Sequence, residues 1–278
     1  MACLILLVAI GGFPATGQEK TRLPTADPEL IEGPWETTSA SGIDGIFLTI
    51  MTGFHLATGS AWQTVDIRVY HRSGGKETWG YFATREKANA GSYALEDDRS
   101  VTLFDGSRLR IHSVGVTDLK PFDLDVTFSP DSREWQGSWS GLGGAPAVIL
   151  RRPQTKPGVS PNPWVGDWTA DPRNPHLASG SLHIRQSSDG VFSAWLDREV
   201  ASSDQRHGEF LQVHSVTASE LDLERPGNIG PSYRYHGSLS DSGERLTGEW
   251  AEHYGARLNA PERFRRMPDQ PVADSTVR

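Results

Sequence analysis

The chain has 278 residues, of which 36% are hydrophobic and 22% are charged, so it can bury one large or two modest cores and is too apolar for a disordered protein. Its formal net charge is −8. That balance, with no Lys/Arg cluster, excludes the usual nucleic-acid-binding protein, which presents a basic face to phosphates. The 29 glycines, 18 prolines and nine tryptophans favour many short strands and turns over long helices.

Residues 1–17 have the pattern of a secretory signal peptide. Leu4–Ile10 form a short apolar core, Pro14 breaks it, and residues 15–17 are small, as a cleavage site requires. No Lys or Arg precedes the core, so the alternatives are a start further upstream or an uncleaved anchor, although a bilayer needs about 20 apolar residues. We predict a secreted or periplasmic protein with no transmembrane segment after cleavage. Since Cys3 is the only cysteine, the mature chain would contain no disulfide and no thiolate metal site.

The first unit is predicted to span residues 32–153, after a polar lead-in at 18–31. Residues 65–70 and 122–128 alternate apolar and polar side chains, which is typical of half-buried strands. Asp105-Gly106 is a strong hairpin signal between two further strands. We therefore expect a unit of short antiparallel strands.

A proline-rich linker is predicted at 154–162, because four prolines lie between Arg151 and Pro163 and such a stretch cannot continue a sheet. The second unit then spans 163–267, and 268–278 is a polar tail.

Two segments of the chain, 123–139 and 235–250, have the same pattern. Each predicts a hairpin around an Asp-Ser turn, with an apolar, Gly, Trp rhythm in its second strand. The residues are Trp135, Gly137 and Trp139 in the first segment, and Leu246, Gly248 and Trp250 in the second. The predicted fold is therefore all-β, with two tandem antiparallel β-barrel or sandwich units.

Five tryptophans are interpreted as plugs at barrel ends, where a large ring seals the core and its N–H meets a carbonyl. They are Trp35, Trp139, Trp164, Trp168 and Trp250. The alternative is that these rings form the floor of a ligand site.

The second unit resembles the calycin or lipocalin-like β-modules of secreted bacterial proteins, some of which are attached to serine hydrolases. The resemblance rests on a Trp-x-Gly-x-Trp opening, a strand ending in Asp-Gly, and a terminal Tyr-x-Gly-x-Leu…Asp…Leu-x-Gly-x-Trp…Arg signature. These positions are Trp164, Gly166, Trp168, Asp189, Gly190, Tyr235, Gly237, Leu239, Asp241, Leu246, Gly248, Trp250 and Arg265. The match covers most of 162–267 and, more loosely, 33–153, where Trp35 has no second Trp. It implies lipocalin-like barrels and names no activity.

Five aromatic residues outside the repeated pattern are the candidate ligand-binding residues. They are Trp62, Tyr70, Trp79, Tyr81 and Trp195. If exposed, they would suit stacking on a sugar or an aromatic ligand. The alternative is that they are ordinary aromatics of a β-rich core or surface.

The sequence predicts no catalytic residue, no cofactor and no metal site. It contains no Gly-x-Ser-x-Gly elbow, and its nine histidines show no zinc-site spacing. His112 and His214 are expected to point outward or to meet a backbone partner. Glu249 and Glu252 are close in sequence, which does not create the facing carboxylates of a glycosidase, and Glu249 is expected to be a solvated strand residue.

The leading functional hypothesis is a secreted, non-enzymatic protein that binds a small hydrophobic molecule, a glycan or a protein partner. The site would be a barrel mouth or the groove between the units. The alternatives are a two-barrel calycin-type enzyme (isomerase, hydratase or cyclase) and a structural accessory module. A buried, strongly shifted carboxyl or histidine facing a cavity would favour the enzyme, whereas filled barrels would favour the accessory module.

Overall fold

A computed structural model describes residues 27–54, 61–84, 101–115, 119–141, 146–154, 162–171, 180–199, 205–225, 233–252 and 261–268. These residues are almost all in antiparallel strands, so the all-β prediction is confirmed. The predicted signal peptide, residues 18–26 of the lead-in, residues 155–161 of the linker and most of the tail lie outside the described residues. Within the described part of the chain, no helix is both long and apolar enough to cross a bilayer.

The first half of the chain contains one helical turn followed by short strands. They are α1 Pro28–Ile31, β1 Gly33–Ser39, β2 Gly42–Phe54, β3 Ala61–Ser73, β4 Lys76–Ala83, β5 Val101–Phe104, β6 Arg108–Ser113, β7 Phe122–Ser129, β8 Glu134–Gly141 and β9 Val148–Leu150. Strands β1 to β4 form one meander and β5 to β9 another. The two meet where Glu36 and Arg151 exchange backbone hydrogen bonds of 2.7 and 2.8 Å.

The second half forms a closed antiparallel barrel of eight strands. They are β10 Gly166–Ala170, β11 Gly180–Gln186, β12 Phe192–Glu199, β13 Arg206–Val216, β14 Glu220–Arg225, β15 Tyr233–Leu239, β16 Arg245–Glu252 and β17 Pro261–Arg266. Consecutive strands pair, and β10 pairs with β17, which closes the ring. Closure removes the unpaired edges that an open sheet would present.

Each half buries its own apolar cluster on the inward face of its strands. In β7 the four alternate apolar residues Phe122, Leu124, Val126 and Phe128 are all buried, as predicted. Among the described residues, twenty buried side chains form the first cluster, and α1 belongs to it because Ile31 is wholly buried. The end of the predicted lead-in is therefore part of the core. The second cluster lies inside the eight-stranded barrel, around Trp168, Leu211 and Tyr235.

A guanidinium lies over a buried indole at the start of each half. Arg152 is 3.9 Å from the ring centre of Trp35, and Arg266 is 4.3 Å from that of Trp168. The indole N–H donates to the carbonyl four residues earlier in both cases, at 2.7 Å for Trp35 and 3.1 Å for Trp168. Trp35 is therefore the counterpart of Trp168.

Ile31 lies four residues before Trp35, just as Trp164 lies four residues before Trp168. Unit one therefore has an isoleucine at the position of the second tryptophan. The residue that covers Trp168 is Arg266, whereas the adjacent Arg265, which carried the sequence motif, is exposed. Each covering arginine also donates to backbone carbonyls of the segment that enters the first strand. Arg152 bonds Leu30 and Glu32, and Arg266 bonds Val165 and Pro163.

Of the five predicted plugs, four are wholly buried and Trp250 is partly buried. The N–H groups of Trp35, Trp164 and Trp168 donate to carbonyls, as expected. Trp250 donates instead to the carboxylate of Glu262. The N–H of Trp139 has no hydrogen-bond partner among the described residues.

Both repeated segments form hairpins, β7–β8 and β15–β16. The paired residues correspond, because Trp139 lies opposite Leu124 and Trp250 lies opposite Tyr235. The glycine in the rhythm is needed for close approach. A side chain at Gly248 would collide with the Tyr235 ring and with the carbonyl of His236.

The two halves are joined by strand pairing and by their outer faces. Met51 and Thr52 of β2 pair with residues 206–207 of β13, which makes one continuous sheet. Gly33 lies at this junction with φ +92°. A side chain there would approach the Trp195 ring to 2.8 Å and the Arg152 guanidinium to 2.9 Å.

We predict that a fragment spanning residues 162–268 folds by itself, because the barrel closes within it and has its own core. It should show a cooperative thermal transition at a lower temperature than the full chain, because its outer face loses the contact with β2 and β3. Circular dichroism of the fragment and the full chain measures this. A fragment without a cooperative transition would mean that the halves share one core.

Replacing Arg152 by Ala should lower the free energy of unfolding by about 3 kcal/mol, since it leaves buried carbonyls without a donor and uncovers Trp35. The matched control is Arg151→Ala, which removes an exposed ion pair with Glu134 and should cost less than about 1 kcal/mol. Urea unfolding of the two variants measures the difference. Equal losses would contradict the role given to Arg152.

Candidate functional site

A groove of about 320 Å³ lies between the two halves. One wall comes from the outer face of β2, β3 and β4, and the other from residues 191–193 and 210–213. Strand alternation produces these outer faces. In β3, Val65, Ile67 and Val69 point into the first core, so Arg68 and Tyr70 point toward the second half.

Aromatic rings from both halves form the floor of the groove. The Phe47 ring is 5.0 Å from the Phe210 ring and 5.6 Å from the Trp195 ring, and both contacts are edge-to-face. Tyr70 belongs to the same small cluster. These contacts hold the two walls at a fixed separation, because edge-to-face rings gain energy beyond burial of area.

Arg68 lies between two aromatic rings at the centre of the groove. Its guanidinium is 4.6 Å from the ring centres of Trp79 and Phe210, which belong to different halves. It donates to the carboxylate of Glu77. Burial lowers the pKa of Arg68, and the charge of Glu77 opposes that effect. Arg68 is thus a fixed, partly desolvated cation.

Arg72 connects the same groove to a buried acidic group. It donates to Glu36 and to Asp189, the latter at 3.1 Å, and it lies 3.8 Å from Glu77. Tyr70 donates to Glu36 at 2.9 Å. Burial raises the pKa of Glu36 and the charge of Arg72 opposes that rise. Because Asp189 belongs to the second half, this network ties the two walls together.

A second ion pair joins the two halves outside the lining of the groove. Arg206 of β13 bonds Glu32 at 2.6 Å and Asp197 at 2.7 Å. The other oxygen of Glu32 accepts from the Ile50 amide at 2.6 Å. Burial raises the pKa of Glu32, and the bond from Arg206 opposes it.

The structure brings two of the five predicted ligand-binding residues into the groove, Tyr70 and Trp79. Tyr70 is 3% exposed and Trp79 is 42% exposed. Tyr81 is half-buried and contacts Trp79 with ring centres 6.1 Å apart. Trp195 is 5% exposed and contacts the Phe47 ring of the first half at 5.6 Å, so it is part of the junction between the halves. The side chain of Trp62 lies outside the described residues.

Sequence reasoning missed Arg68, Arg72, Phe210 and Gln212 as groove residues. Their alternation with buried residues of β3 and β13 predicts that they face outward. It does not predict that the outward faces of β3 and β13 meet, since the two strands are more than 100 positions apart in the chain.

A charged cluster lies at one end of the barrel interior and was also missed. Glu262 is 2% exposed and accepts a hydrogen bond from the Trp250 indole. Glu209 pairs with Arg225 at 2.6 Å, and Arg198 lies 6.0 Å from the Trp250 ring. Burial raises the pKa of Glu262 to about 7, with Arg198 lowering it and Glu209 raising it further. Glu262 lies two residues before the apolar Phe264 on the same strand. Strand alternation could therefore have predicted that Glu262 points into the barrel.

The predictions for the other polar candidates are consistent with the described structure. Glu249 is exposed, as expected. His112 and His214 are exposed too, and their partners are the carboxylates of Asp123 at 2.6 Å and Glu224 at 2.5 Å. Within the described ranges, no three His, Cys, Asp or Glu side chains lie close enough together to hold a metal ion.

Comparison with known proteins leaves the family of this chain open. No family model and no curated protein matches it. A crystal structure of a protein of unknown function from the DUF3598 family of Nostoc punctiforme is similar at 13% identity, covering 86% of this chain and 97% of that one, with a TM-score of 0.23. A likeness at this level supports no statement about activity. The barrel itself rests on the strand pairing, and its resemblance to calycin modules stays a prediction.

The Glu262 carboxyl predicts a stability that falls as the pH rises. Its pKa is 4.5 in the unfolded chain and about 7 when folded. The folded state therefore binds more protons between these values, and the stability present below pH 4.5 is lost as the pH rises through 7. Glu262→Gln should remove this loss, making the variant more stable than the parent by up to about 3 kcal/mol at a pH of about 8 and equal to it at about pH 4.

Urea unfolding at several pH values measures the effect. Glu249→Gln removes one carboxylate from an exposed position of the neighbouring strand and is the matched control. A Glu262→Gln variant with the same pH dependence as the parent would show that the carboxyl is ionised at no cost inside the barrel.

Proposed function

We propose that this protein is a non-enzymatic binding protein that holds a small molecule in the groove between its two halves. The observation that carries the proposal is the groove, whose 320 Å³ is lined by rings and charged groups from both walls. Ligand pockets in proteins are concave, mostly ring-lined or apolar, and have a volume of about 300–1,000 Å³. A few polar groups among the rings then orient the ligand.

The groove is suited to binding because its walls are held before a ligand arrives. The Arg72 network and the Phe47–Phe210 contact each cross from one half to the other. A site with fixed side chains loses little conformational entropy when a ligand binds. Trp79 is the ring that remains exposed beside this framework.

We further propose that the two halves are copies of one calycin-like unit and that the protein acts outside the cytoplasm. Support for the first statement is the equivalence of the Trp35–Arg152 and Trp168–Arg266 contacts. Support for the second is the apolar leader predicted at residues 1–17.

Catalysis is the second candidate function, and Glu262 favours it. A carboxyl with a pKa of about 7 can give or accept a proton at neutral pH. However, Glu262 points into the barrel, whereas the groove is built from outward-facing residues of β2, β3, β4 and β13. Glu262 therefore does not line the groove, and a ligand held there would not contact this acid. For this reason we prefer the binding function to the catalytic one.

Filling the groove should abolish binding. Ser193 lines it and Ser238 lies on an exposed position of β15, so Ser193→Phe and Ser238→Phe add the same ring in different places. Titration calorimetry with fatty acids, terpenoids and oligosaccharides should show saturable binding of one class. Ser193→Phe should weaken that binding by at least about tenfold, because the ring occupies the volume the ligand needs. Equal affinities of the two variants would place the site elsewhere.

A further inference from the structure

We infer that the ligand of this groove is an uncharged sugar, a mono- or disaccharide whose ring lies against Trp79. The inference rests on the proposed function and specifies the class of molecule that the groove takes. It follows from the charges, the rings and the hydrogen-bonding groups of the lining residues.

Each charged side chain that lines the groove already has an ion-pair partner, which disfavours an ionic ligand. Arg68 is paired with Glu77. Arg72 is paired with Glu36 and Asp189. Two guanidinium groups thus face three carboxylates among the residues described here. An anion would have to displace a carboxylate from one of these guanidinium groups, which leaves an uncompensated charge in a partly buried place. A cation would meet the two guanidinium groups of the lining, which outnumber its single carboxylate, Glu77.

A purely apolar ligand is disfavoured for a different reason. Ser193 and Gln212 line the groove together with the rings, and they are polar side chains outside its ion pairs. An alkyl chain or a terpenoid would remove water from these polar groups and offer no hydrogen bond in return, which costs free energy for every group left unpaired. A polyhydroxylated ligand supplies both donors and acceptors to the same groups.

Trp79 provides the surface on which a sugar ring can stack. It is 42% exposed, although the Arg68 guanidinium covers one face of its ring at 4.6 Å and the Tyr81 ring is perpendicular to it at 6.1 Å, so a sugar would stack on the face opposite Arg68. A buried cation and a neighbouring ring hold the indole in one orientation. A flat, fixed and exposed indole beside Glu77 and Gln212 presents an apolar face flanked by hydrogen-bonding groups, and the C–H face and hydroxyl edge of a pyranose fit this combination.

The test is calorimetric titration of the full-length protein with three groups of probes. Glucose, N-acetylglucosamine, maltose and cellobiose are neutral sugars, glucuronate and glucosamine are their charged counterparts, and dodecanoate and geraniol are apolar. We expect saturable binding of at least one neutral sugar. The charged sugars and the apolar probes should bind at least about tenfold more weakly.

Two variants assign the binding to the groove. Trp79→Ala should weaken the sugar by about tenfold or more, because the stacking surface is lost. Leu103→Ala, at another exposed apolar position, is the matched control and should leave the affinity unchanged. Glu77→Gln keeps the shape and removes the charged acceptor, so it should weaken a sugar but not an apolar ligand. Thermal unfolding of each variant, measured in parallel, identifies a loss that comes from misfolding.

The outcomes separate this inference from the proposed function. If dodecanoate or geraniol binds saturably and Ser193→Phe abolishes it, the groove is a ligand site and the sugar assignment is wrong. If a charged sugar binds more tightly than its neutral counterpart, the charge argument is wrong. If no probe binds, or if a sugar binds equally well to Trp79→Ala and Ser193→Phe, both the sugar assignment and the groove as a binding site are overturned.

Discussion

A partly buried guanidinium over a buried indole joins the first and last strands of each half of this chain, and the strands between them depend on that contact. In the first half, Trp35 lies in the first strand and Arg152 follows the last strand. In the second half, Trp168 lies in the first strand and Arg266 in the last. Each guanidinium also satisfies carbonyl groups of the entering segment, which would otherwise be buried without a donor. A planar group with several fixed donors can cover a ring and bond carbonyls at once, whereas a lysine cannot. The first and last strands therefore stay together.

The geometry of the groove follows from charges that are paired across the junction. Glu32 with Arg206, and Arg72 with Asp189, each join one half to the other. Separating the halves would take the arginine partner away from Glu32 and from Asp189, so a single relative orientation is favoured. The groove thus exists only when both halves are in place, although each half has its own apolar core.

Much of the architecture could be predicted from local pattern, because alternation decides which face of a strand is buried. It correctly placed Phe122 to Phe128 and both repeated hairpins. Local pattern could not decide whether Trp164 or Trp168 is the equivalent of Trp35, since both tryptophans are buried near the start of the barrel. The arginine contacts identify Trp168 as the equivalent residue. Tyr70 and Trp79 were identified as aromatics without a repeated counterpart, but the groove required knowledge of which outer faces meet. Glu262 escaped notice because an acidic residue in a strand is usually solvated, and only tertiary contacts show that this one is not.

Gly33 has a consequence for how such a chain can diverge. A side chain at this position of the first half would clash with Trp195, a ring of the second half. The two positions are therefore coupled, because the Trp195 ring adds a clash to the strain that φ +92° and the nearby Arg152 guanidinium impose on any larger residue at position 33. Recombination that replaced one half with the corresponding half of a distant homologue would separate this matched pair. Even if the halves fold as separate units, as predicted, this contact favours their inheritance as one.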